Sequence, residues 1–127
     1  MNERFSGDPP SPWEGKYGFS RVVKAGQFVL VGGTTSADVD GVVRGETPYE
    51  QTVEILRKLE HELARAGAGL ADVIQTRVYV TDISRADEVG RAHGDVFATF
   101  RPLMTMVEVS RLIDPRMLVE IEAVAYA

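Results

Sequence analysis

Hydrophobic and polar positions divide the chain at its Gly and Pro residues. Phe19 to Lys24 carries β-branched residues and runs into a turn at Ala25-Gly26. Gln27 to Val31 is a short apolar strand that the Gly32-Gly33 pair terminates, so the two segments predict a hairpin. A polar stretch follows, with a turn at Asp40-Gly41 and a short strand at Val42-Val43. Thr47-Pro48-Tyr49-Glu50 then has the form of a helix start, with Thr47 as cap, Pro48 in the first position and Glu50 closing a capping box. Behind it, Val53, Ile55, Leu56, Leu59 and Leu63 form a wide apolar face at helical spacing, Glu54 and Lys58 an exposed pair, and Gly67 or Gly69 the stop. Ala71 to Thr81 reads as a strand. Ser84 and Asp87 cap a second helix, with Val89, His93, Val96, Phe97 and Phe100 on one side, ended by Arg101-Pro102. Met104 to Ser110 and Leu118 to Tyr126 are the last strands, joined through the turn at Asp114-Pro115-Arg116.

Strands interrupted by two long helices predict one sheet with both helices on one face, an α+β layer architecture in one domain over 1–127 whose residues 1–14 form an N-terminal arm. In the last strand Val119, Ile121, Ala123 and Ala125 share one face, and Glu120, Glu122, Val124 and Tyr126 share the other. The second face mixes carboxylates with apolar residues. Pattern alone leaves two readings open: a face covered in an oligomer, or one in water. Sheltered, one of the two glutamates could have its pKa raised and act as a general acid or base. Solvated, both are ordinary.

Composition narrows the chemistry. The 127 residues are 44% hydrophobic and 26% charged, as in ordinary globular proteins. With no cysteine there is neither a disulfide nor a thiolate site, which suits a cytoplasmic protein. No apolar run approaches the roughly 18–20 residues that span a bilayer, and the first residues lack the apolar stretch of a secretion signal. A net charge of −5 argues against nucleic acid as a partner. There is no phosphate loop or dinucleotide fingerprint, and His61 and His93 lack metal-like spacing, so neither cofactor nor metal is expected. His61 falls on the exposed side of its helix, and His93 reads as a packed or partner-bonded histidine. Arg101, Arg111 and Arg116 lie near the last strands, where an arginine could hold a carboxylate.

Gly15-Lys16-Tyr17, Val31-Gly32-Gly33, Val107-Glu108-Val109 and above all Val119-Glu120-Ile121-Glu122-Ala123 resemble the RidA/YjgF family, in element order from about residue 14 to the C-terminus. The resemblance implies a chorismate-mutase-like (ferredoxin-like) fold, a homotrimer, and three small-molecule pockets between subunits. It implies hydrolysis of enamines or imines to ketones and ammonia without metal or cofactor, with an arginine on the substrate carboxylate and a glutamate on the water. Glu120 matches that glutamate and Tyr17 a pocket-lining tyrosine. Where the family carries the arginine this chain has Met104, where it carries a pocket serine Gly32, and where it carries a pocket asparagine Gly90. Methionine offers no charge-assisted contact, so the ligand is expected to differ, over an apolar floor of Met104 and Met106, unless Arg101 reaches in. Two functions follow as expectations: a cofactor-free imine or enamine hydrolase (deaminase), or a trimer that binds a metabolite or protein partner without transforming it. A ribonuclease, a role described for some relatives, ranks last, given the acidic charge and the absence of an aromatic–basic strip.

Overall fold

A computed structural model describes residues 2–127. In chain order the elements are β1 (Glu3–Phe5), α1 (Pro12–Tyr17), β2 (Val22–Ala25), β3 (Phe28–Thr34), α2 (Pro48–Arg65), β4 (Val73–Val80), α3 (Ala86–Phe97), β5 (Leu103–Glu108) and β6 (Val119–Tyr126). Six strands form one sheet in the order β1-β2-β3-β6-β4-β5. All neighbours are antiparallel except β4 and β5, which run parallel because α3 carries the chain back between them. The architecture is α+β, as the sequence pattern predicts. The expected arm is structured: β1 pairs with β2, and α1 starts at Pro12.

The α2 start is built as its sequence reads. Thr47 Oγ1 accepts the Glu50 N–H at 3.1 Å, and Glu50 Oε1 accepts the Thr47 N–H at 3.2 Å. The helix stops at Arg65, where the Ala68 N–H reaches Leu63 O and Gly67 takes a left-handed φ of 84°. Its buried stripe is Ile55, Leu56, Leu59 and Leu63, whereas Val53 faces outward at 48% exposure. Glu54 pairs with Arg57 instead of Lys58, and Lys58 turns inward to donate to Thr35 O at 2.6 Å and Ala37 O at 2.8 Å. Two open carbonyls in a half-buried setting hold an ammonium better than one solvated carboxylate does.

Other differences are local. A 3-10 turn at Ile83–Arg85 precedes α3, so Ser84 lies inside that turn and Asp82 caps it. The helix ends at Phe97, four residues before Arg101, which takes φ 54°. Val43 makes only an isolated bridge to Ala37. Gly32-Gly33 does not end β3: the strand runs on to Thr34 through a bulge, with Val31 opposite Ala123 and Thr34 opposite Ile121.

The core fills the space between the helices and one sheet face. Val29, Val31, Val78, Val80, Val119, Ile121, Ala123 and Ala125 meet Ile55, Leu59, Leu63, Val89 and Phe97 there. Buried Gln51 ties the β5–β6 connection to α2, donating to Gly45 O and Arg116 O and accepting from the Leu118 N–H. The other sheet face is uncovered. On it lie Phe28, Leu30 and Val107, each 40% or more exposed, beside Glu120, Glu122 and Val124.

Candidate functional site

Strand alternation puts Glu120 on the uncovered face, between β3 and β4, with Tyr79 as its neighbour across β4. The β3 bulge lies directly against it. A methyl group at Gly33 would stand 2.5 Å from Glu120 Oε2, so only glycine leaves the carboxylate its place. Gly32 is less constrained, since a Cβ there would meet Arg21 O at an ordinary 3.6 Å.

Glu120 and Glu122, equivalent in the sequence pattern, have different surroundings. Glu122 accepts the Tyr79 hydroxyl at 2.8 Å and faces Arg77 at 3.4 Å, and that carboxylate holds the Tyr79 phenol above its ordinary pKa. Glu120 accepts no hydrogen bond from the described residues. Its pKa is raised, first by burial, with Arg21 pulling it down and Glu122 pushing it up. A half-buried carboxylate with open lone pairs and a raised pKa can bind a water molecule and exchange a proton with it. Glu108 is otherwise engaged: it accepts the Ile83 N–H at 3.0 Å.

Arg21 was not singled out from sequence, where it reads as one more polar strand residue. Its guanidinium donates to Gly33 O at 2.5 Å and stands 4.0 Å from the buried Glu14 carboxylate. It thereby fixes the bulge backbone that carries Glu120's neighbour. The available signal is a long cation immediately before the apolar Val22-Val23 pair.

Of the remaining expected site residues, Met104 and Arg101 come together in a second place. Met104 pairs with Thr76 and Met106 with Val78, so both point to the helix side of the sheet, away from Glu120. Met106 packs on the core and does not floor a pocket with Glu120 in this chain. Met104, 41% exposed, and Arg101 line one shallow depression of about 370 Å³ with His93, Phe97 and Pro102. His93 is buried there, its Nε2 2.8 Å from Thr76 Oγ1, and burial lowers its pKa. Gly90 lies one turn earlier on α3, with open space where a side chain would be. Tyr17 is 57% exposed at the end of α1 under the Lys16 ammonium. Arg116 is exposed and pairs with Asp114 at 2.7 Å on the turn before β6. His61 is exposed, 3.3 Å from Asp8. Among the described residues no group of three or more His, Asp or Glu is placed to hold a metal, and no helix is long and apolar enough to cross a membrane.

Residues 12–127 match the family described as Endoribonuclease L-PSP. The chain belongs to this family, the YjgF/RidA proteins. A solved structure of Rv2704 from Mycobacterium tuberculosis, described as a member of the YjgF/YER057c/UK114 family, is 46% identical, covers 100% of both chains and superposes with a TM-score of 0.90. An uncharacterised protein of Streptomyces coelicolor is 41% identical over 91% of this chain and 87% of its own. The 3-aminoacrylate deaminase RutC of Acinetobacter baylyi is 30% identical over 81% of this chain and 82% of its own.

Proposed function

We propose that this protein is a cofactor-free hydrolase of an imine, enamine or related conjugated metabolite, with Glu120 as the residue that directs water. The observation that carries this reading is a half-buried carboxylate, free of protein donors, whose pKa burial has raised. An enamine first takes a proton on carbon to become the iminium ion. Water held by Glu120 then adds to the C=N carbon, and one of its protons passes to the carboxylate, giving the neutral carbinolamine. The protonated Glu120 delivers that proton to nitrogen; the C–N bond breaks as the carbinolamine hydroxyl loses its own proton to solvent, leaving a ketone and ammonia. Similarity to a 3-aminoacrylate deaminase supports the reaction class.

The pocket is completed between subunits of a homotrimer. Glu120 and the Met104–Arg101 depression lie on opposite faces of one sheet, so one chain alone cannot close both around a small molecule. The exposed apolar residues on the Glu120 face, such as Leu30 and Val107, give that face a reason to be covered. Substrate choice follows from Met104. Without an arginine there, a carboxylate loses its bidentate anchor, and the preferred substrate is less acidic. Ammonia release from 2-aminoacrylate and 2-iminobutyrate, set beside carboxylate-free imines, tests this. The wild type should favour the uncharged compounds, and M104R should raise kcat/KM for the carboxylates by about tenfold or more. Robust wild-type turnover of 2-iminobutyrate, unchanged in M104R, would contradict the substrate assignment.

The alternative, a trimer that binds without turnover, draws on the same Met104 replacement. Thermal protection by a ligand that yields no product would favour it. RNA cleavage gains no support from a chain of net charge −5.

A further inference from the structure

A second cleft lies on the helix side of the sheet, between α2 and the segment Gly7–Ser11, with a volume of about 480 Å³. That is within the size range of metabolite sites. It is not the Glu120 site: Thr34 on its wall pairs with Ile121, whose side chain points into the core, while Glu120 points the other way.

The hydrogen-bonding capacity left over on the buried side of this cleft is of one kind. The less exposed carboxylates are occupied, and Asp8, its side chain 63% exposed, faces His61 at 3.3 Å. Glu54 holds Arg57, Asp38 accepts from the Asp40 and Val42 N–H groups and from Arg44, and Glu62 accepts from the Asp8 N–H and Arg65. The donors are not. Lys58 spends two N–H groups on carbonyls and keeps a third, with no ion-pair partner. Arg21, its side chain 12% exposed, donates through Nη1 to Gly33 O and Thr34 Oγ1 and stands 4.0 Å from Glu14, and its Nε and Nη2 N–H groups make no hydrogen bond to the described residues. Ser36, 1% exposed, has a hydroxyl with no partner. A buried hydroxyl without a partner is destabilising, and its persistence points to a group absent from the free chain.

We propose that this cleft binds a small oxyanion, a phosphate or carboxylate of metabolite size, through Lys58, Arg21 and Ser36. Such a ligand supplies the acceptors that these donors lack and the counter-charge that Lys58 lacks. The cleft shares Arg21 with the surroundings of Glu120 but not the carboxylate itself, and its test does not read activity.

Calorimetric titration of the intact protein with inorganic phosphate, and separately with succinate, measures it, with sodium chloride at matched ionic strength as control. A saturable heat for at least one probe is expected, and which probe gives it separates a phosphate ligand from a carboxylate ligand. S36A removes only the unpartnered hydroxyl and should weaken binding several-fold, up to roughly tenfold. K58M should abolish binding, and E120Q should leave it intact. No saturable heat with either probe, or binding unchanged in S36A, would overturn the proposal, whether or not K58M folds.

Discussion

Glu120 and Glu122 illustrate what a single residue's neighbours decide. Sequence places both on one face of β6, and that much is legible because strand alternation is a property of the backbone. What separates them is not local. Tyr79 and Arg77 come from β4, 40 or more positions away in the chain, and satisfy Glu122 alone. Arg21 and the bulge glycines come from the other side. The elevated pKa has a thermodynamic consequence. Folded Glu120 holds its proton more tightly than the unfolded chain, whose ordinary value is 4.5. Its contribution to stability is therefore fully present below that value and is lost as pH rises through the folded pKa. E120Q, which cannot ionise, should gain in melting temperature relative to wild type as pH rises from about 4 to about 8. A difference that stays constant over that range would show that Glu120 is not desolvated.

Elements bounded by local chemistry were the most legible. The α2 cap involves contacts three residues apart and formed as read. The Lys58 contacts are not legible in the same way, because helical spacing identifies a partner four residues back but not two carbonyls from the β3–α2 connection. The β3 bulge is not distinguishable from a strand end by sequence, since two glycines signal a break equally well in either case. Its purpose is visible only with β6 beside it. The two glycines are accordingly predicted to differ. G32S meets only an ordinary contact and should fold with stability changed by less than about 1 kcal/mol. G33A must displace the Glu120 carboxylate and should cost about a hundredfold in turnover while the protein remains folded. Melting curves and ammonia release on both variants check this, and equal activity would refute it. Placement of Met104 and Met106 was beyond sequence reasoning. Their direction is set by parallel pairing with β4 across α3, which no local pattern encodes.

At the scale of the molecule, the α+β layers were legible from element order, and so was the mixed character of the uncovered face. The division of the site into two groups was not, because it depends on which face of the sheet each strand presents. That division is the reason for the proposed assembly: Glu120, with open lone pairs, lies on one face of the sheet, and the Met104–Arg101 depression lies on the other. In the proposed trimer the two would come together. The central claim is that Glu120 performs the proton transfers in this shared pocket. The most direct measurement is ammonia release from the best imine substrate by wild type and E120Q, with molar mass followed by light scattering in the same samples. Loss of roughly 10²–10⁴-fold in kcat at unchanged mass is the predicted result. Wild-type turnover in a correctly assembled E120Q protein would contradict it.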